Sequence, residues 1–67
     1  MNILDFENSY PLLYNKLTGV LTSEGIEWWL DCPINELDSH TPSYMLLNNQ
    51  IKPVEDLIDS YFDPSYG

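Results

Sequence analysis

Apolar residues recur along the chain in short bursts of helical spacing, and a proline or a small polar residue separates each burst from the next. Behind Ser9 and Pro11, the positions Leu13, Leu17, Val20 and Leu21 repeat every three to four residues with Leu12 and Tyr14 beside them. They predict a helix whose last turn falls around Thr18 to Leu21, with Gly19 weakening its end. Thr22 or Ser23 then offers a hydroxyl cap, Glu24 and Glu27 suit the positive end of a helix dipole, and Ile26, Trp29 and Leu30 share one face at i, i+3, i+4. This second helix stops at Asp31-Cys32-Pro33, because proline disfavours helical geometry in the residue before it. A polar connector follows, with Ile34 and Leu37 as its apolar plugs. Thr41 can cap a third helix while Pro42 occupies the first helical position, where no N–H is needed. Its run Tyr44, Met45, Leu46, Leu47 is almost wholly apolar and ends at Asn48-Asn49, residues that tolerate left-handed backbone. A fourth helix is expected with Pro53 at its first position, setting Val54, Leu57, Ile58, Tyr61 and Phe62 against Glu55, Asp56, Asp59 and Ser60.

No stretch alternates with a period of two, no hairpin turn such as Asn-Gly occurs, and there is no internal repeat or low-complexity segment. The expected fold is therefore all-α, a small compact bundle of about four short helices. One domain spans residues 1–67, with a short arm at 1–8 and a tail at 63–67. Trp29, Leu30, Leu46, Leu57 and Ile58 are expected in one core. In the arm, Ile3, Leu4 and Phe6 either pack on the domain or reach a partner, and the local pattern leaves both open.

Length sharpens this picture. Sixty-seven residues make one domain at most, near the size at which burial of apolar surface only just exceeds conformational entropy. Hydrophobic residues at 43% and aromatic residues at 13% are too many for a disordered acidic tail. The formal charge of −9, with Lys16 and Lys52 the only basic side chains, repels phosphates and anionic lipid. Direct nucleic-acid or membrane binding is thus disfavoured, and a basic protein partner is favoured; the alternative is charge carried for solubility alone. A single cysteine, no basic-then-apolar leader and no long apolar run lead us to expect a cytoplasmic protein.

Catalysis needs a nucleophile or base with an orienting neighbour, and here Cys32 and His40 are single and separated by a turn. Zinc would require two further ligands from acidic residues, and neither CxxC nor HxxxH spacing is present. Asp31, Glu36 and Asp38 lack the oxygen-ligand spacing of a calcium loop. Neither a glycine-rich phosphate loop nor a basic patch occurs. We accordingly expect no metal, no cofactor and no enzyme activity.

The order Trp29-Leu30-x-x-Pro33-x-x-x-Leu37-x-x-x-Thr41-Pro42-x-x-x-Leu46, followed by Val54-x-x-Leu57, resembles the toxin-binding domain at the C-terminal end of MbcA/ParS/Xre-type antitoxins. The resemblance covers roughly residues 20–62. The chain departs from that family where Ile34 follows the proline in place of the usual asparagine, and where Asp38 and Ser39 replace a usual glycine. The resemblance implies a protein that binds a RES-fold, NAD-consuming toxin and covers its active site. Such antitoxins usually carry a separate DNA-binding domain in front, for which this chain has no room. What it implies here is a free-standing module that neutralises a partner without repressing an operon.

A second class fits the charge: a phage-encoded DNA mimic or counter-defence inhibitor, of anti-CRISPR or anti-restriction type, whose carboxylates occupy a basic nucleic-acid channel. An accessory subunit or immunity protein is a third. The candidate partner-binding residues are Trp28, about 100° round its helix from Trp29, the carboxylates Glu55, Asp56, Asp59 and Asp63, and Tyr66 in the tail.

Overall fold

The computed structural model describes residues 1–62, which form five α-helices and one 3-10 turn: α1 (Ile3–Ser9), α2 (Pro11–Leu17), α3 (Ser23–Leu30), the 3-10 turn Asn35–Leu37, α4 (Pro42–Leu47) and α5 (Ile51–Ser60). Helices of six to ten residues are too short to be stable alone, so tertiary packing must hold each of them.

The arm resolves into α1. Asn2 caps it, its side-chain oxygen accepting the Asp5 N–H at 2.8 Å, and Asp5 places negative charge in the first turn. Phe6 is fully buried, with its ring centroid 6.3 Å from that of Tyr14 and 6.4 Å from that of Trp29. Of the two alternatives for the arm, packing on the domain is the one observed. Tyr10, which precedes Pro11, leaves the helical region at φ −134°, and Pro11 opens α2.

Leu13 and Leu17 bury one face of α2, but the helix ends at Leu17, short of the expected Thr18 to Leu21. There the Leu17 carbonyl accepts N–H groups from both Val20 and Leu21, at 3.0 and 2.8 Å, and closes the turn. At Gly19 an added methyl would lie 3.2 Å from the Phe62 ring, so the absence of a side chain lets Phe62 close over this turn. Thr22 caps α3, accepting the Gly25 N–H at 3.1 Å, and Ile26, Trp29 and Leu30 enter the core.

The connector is closed by its own backbone. Ile34 donates to the His40 carbonyl at 3.2 Å and accepts from Ser39 N–H at 3.0 Å, while Asp38 and Ser39 take positive φ of 57° and 64°. Leu37 plugs the core from this corner. Thr41 then accepts the Tyr44 N–H at 3.0 Å, and Pro42 sits at the start of α4 as expected. At the far end Asn49, φ 62°, sets up a Schellman closure in which Gln50 N–H reaches the Met45 carbonyl at 2.8 Å and Asn49 N–H reaches that of Leu46 at 3.1 Å.

The last helix begins at Ile51, two residues before Pro53. Proline is accepted there because N–H groups in a first turn have no helical acceptor in any case. Val54, Leu57 and Ile58 complete a core with Phe6, Leu13, Leu17, Ile26, Trp29, Leu30, Leu37 and Leu46. All five residues expected in the core are in it. α5 packs against α2, α4 and the 3-10 turn, and α3 against α1 and α4. No helix of the described residues is long and apolar enough to cross a membrane.

Candidate functional site

Trp28 and Trp29 diverge as their spacing implies: Trp29 is 8% exposed and Trp28 75%. The surroundings of Trp28 follow from the helical repeat. Glu24, Glu27, Trp28 and Asp31 fall at i, i+3, i+4 and i+7, on the side of α3 opposite Ile26, Trp29 and Leu30. After Leu30 the chain turns through Asp31, and Cys32 and Pro33 form the second wall of an open groove of about 460 Å³. Glu24, Glu27, Trp28, Asp31, Cys32 and Pro33 line it.

Its electrostatics are one-sided. The chain has no arginine, and both lysines are engaged elsewhere. Lys16 reaches Asp59 at 2.9 Å, and Lys52 reaches Asp56 at 2.9 Å and Glu55 at 3.8 Å. Glu24, Glu27 and Asp31 form no ion pair among the described residues. They also act on one another, since like charges at i, i+3 and i, i+4 destabilise a helix by roughly 0.2–0.5 kcal/mol per pair. Asp31 adds a negative charge at the negative end of the helix dipole. Glu24, in the first turn, gains from the positive end of the dipole, but Glu27 lies beyond that turn and Asp31 at the opposite end. The Glu27–Asp31 side of the face therefore costs the free domain stability and suits a cation lying over an aromatic ring among carboxylates.

Of the other expected site residues, Glu55, Asp56 and Asp59 lie on α5 and line no part of the Trp28 groove. They lie on the polar side of the helix, partly exposed, and are tied to the lysines. The Asp59 carboxylate holds Lys16 above its ordinary pKa through their hydrogen bond and charge, and so fastens α2 to α5. Asp63 and Tyr66 lie outside the described residues.

Cys32 is half-buried with its sulfur 3.7 Å from the Pro33 carbonyl oxygen, and the His40 ring stacks on Tyr44 at 4.4 Å between centroids. Among the described residues no three His, Cys, Asp or Glu side chains converge as a bound metal requires. Two further shallow grooves are apolar. One, of about 280 Å³, lies between Val20, Leu21, Trp29 and Tyr61; the other, of about 240 Å³, includes Tyr10, Leu12, Ile51 and Glu55.

Glu24, Glu27 and Asp31 were not among the residues singled out from the sequence as partner-binding, yet they share the face of Trp28. The signal was present, because the same helical spacing that separates Trp28 from Trp29 brings them to Trp28. Tyr61 differs in kind: its hydroxyl accepts the Trp29 indole N–H at 3.0 Å across 32 residues, a pairing that no local pattern announces. The chain matches no protein-family model, no curated protein and no solved structure.

Proposed function

We propose that this protein is a small acidic binding protein that neutralises a basic protein partner by covering its active site. In this reading it resembles the toxin-binding domain of MbcA/ParS/Xre-type antitoxins, and its partner is a NAD-consuming toxin. The supporting observation is Trp28, a large aromatic left 75% exposed in a groove whose carboxylates have no internal counter-charge among the described residues. Exposed tryptophan is costly to solvate and is concentrated where binding energy resides. The reading is tested by producing the chain together with the protein encoded beside it and following cellular NAD. Preserved NAD with the wild-type chain, and NAD loss with Trp28→Ala, is the expected result. NAD loss in the presence of the wild-type chain overturns the reading.

A second reading, the DNA mimic, has its own support. Asp5, Glu7, Glu36 and Asp38, on α1 and the connector, are exposed and form no ion pair among the described residues, so uncompensated charge extends beyond the groove. Salt separates the two. Binding by phosphate imitation rests on many carboxylates and falls steeply as ionic strength rises, whereas a complex anchored on the Trp28 ring with only Glu24, Glu27 and Asp31 around it falls less steeply.

A further inference from the structure

We propose that the groove formed by Glu24, Glu27, Trp28 and Asp31 is a docking site for an arginine side chain on an exposed basic segment of a partner protein. The guanidinium plane would lie on the Trp28 ring, with its N–H groups directed at the surrounding carboxylates. This rests on the reading of the chain as a binding protein, and it does not depend on which protein the partner is.

Three observations select this occupant. The first is charge: Glu24, Glu27 and Asp31 crowd one face of an eight-residue helix, and no cation among the described residues offsets them. An incoming cation relieves their mutual repulsion as well as forming new contacts, so this face gains more from a positive ligand than carboxylates already paired. Glu55, Asp56 and Asp59 are such paired groups.

The second is shape. The groove is open and of about 460 Å³, room for a side chain laid against the indole and not for an enclosed ligand. Its walls are chemically divided, an aromatic face and the Pro33 ring for the apolar part of a side chain and carboxylates for its charged end. A guanidinium uses both at once: it is planar, stacks on aromatic rings and donates in a fork that matches a carboxylate. An ammonium is also drawn to an aromatic face, but as a compact, strongly hydrated charge it neither stacks flat on the ring nor donates in a fork, so it uses both walls less well.

The third is what the groove excludes. A second copy of this chain could bring no arginine, and a formal charge of −9 on each copy opposes self-association. Nucleic acid and anionic lipid carry the wrong sign. A basic protein segment is the occupant that remains.

The test is a nuclear magnetic resonance titration of the whole chain with a capped tri-arginine peptide, with tri-lysine and tri-citrulline peptides as controls. The two indole N–H signals serve as internal reporters, since Trp29 is bonded to the Tyr61 hydroxyl and Trp28 is exposed. The arginine peptide should shift the Trp28 indole and the amides of Glu24 to Asp31 and leave the Trp29 indole in place. Tri-lysine should bind about two- to fivefold more weakly, and tri-citrulline, which lacks the charge, should give no shift at the same concentrations. Trp28→Ala, at an exposed position, should weaken the arginine peptide by about two- to fivefold, and Glu27→Gln should weaken it without removing the ring. Shifts centred on α5, equal affinity for the arginine and lysine peptides, or unchanged affinity in Trp28→Ala each overturn the inference. The wider reading fails separately: a responsive groove in a chain that does not preserve NAD leaves the docking site standing and removes the inhibitor. A silent groove in a chain that does preserve NAD removes the docking site alone.

Discussion

At the scale of single residues, adjacent tryptophans divide the labour of the chain, and one step of about 100° along a helix separates them. Trp29→Ala would empty a core site next to Phe6 and leave the Tyr61 hydroxyl without its donor. A loss of about 3–5 kcal/mol is expected, most of the stability a domain of this size has. Trp28→Ala removes an exposed ring and should change stability by no more than about 0.5 kcal/mol. Urea denaturation of the two variants tests this, and equal midpoints would show that the division is wrong. Burial was legible here from spacing, whereas the acceptor for the Trp29 N–H was not, because a hydrogen bond across 32 residues exists only once the chain has folded. Ser43 presents the opposite case. Its hydroxyl is buried, with the residue 5% exposed, and has no hydrogen-bond partner among the described residues. Ser43→Ala therefore removes a desolvated polar group at almost no loss of packing, and should raise the urea midpoint by the equivalent of about 1 kcal/mol.

At the scale of elements, legibility follows how local the cause is. The caps of Thr22 and Thr41, the stop after Leu30 and the left-handed exit at Asn49 are set by a residue and its neighbours within three or four positions, and each was readable. α1 was not. Ile3, Leu4 and Phe6 make no sustained periodic pattern, and seven residues do not form a stable helix alone. What holds α1 is the burial of Phe6 beneath Tyr14 and Trp29, which is tertiary. α5 starts two residues before Pro53 because proline is tolerated anywhere in a first turn, so Pro53 marks a helix start only to within that turn. The connector offers a test at this scale. Ser39 holds a φ of 64°, in the left-handed region that costs most residues and glycine nothing. Ser39→Gly should stabilise the domain by about 0.5–1 kcal/mol, the gain being limited by the freedom glycine adds to the unfolded chain. A thermal melt that moves downward would show that the Ser39 side chain has a role in the turn beyond its backbone.

At the scale of the whole molecule, the two cations are spent on one region. Lys16 and Lys52 meet Asp59, Asp56 and Glu55, so the α2–α5 side is partly neutralised while the α3 face is left negative. The Lys16–Asp59 pair has a pH signature. Because Asp59 raises the folded-state pKa of Lys16 above 10.5, its contribution is fully present below that value and is lost as pH climbs through the raised one. The melting temperatures of the wild type and Lys16→Met should differ by a constant amount through neutral pH and converge above pH 10.5. A difference that persists there would mean that the lysine acts through packing of its stem.

On the opposite face, stability and binding are set against each other. Glu27 has Glu24 three residues before it and Asp31 four residues after it, so it takes part in both like-charge contacts of the groove. Glu27→Gln keeps the size and helix propensity of the side chain and removes both repulsions, which should stabilise the free domain by roughly 0.4–1 kcal/mol at low salt. Salt screens the same repulsions, so the gain should shrink as ionic strength rises above that of a dilute buffer. The same substitution removes one carboxylate from beside the Trp28 ring, and affinity for the arginine peptide should fall as stability increases. Opposite movement of the two quantities is the mark of a face kept for binding at the expense of the fold. If Glu27→Gln stabilises the domain and leaves peptide affinity unchanged, the negative charge of α3 serves solubility, and Trp28 must be recognised by apolar contact alone.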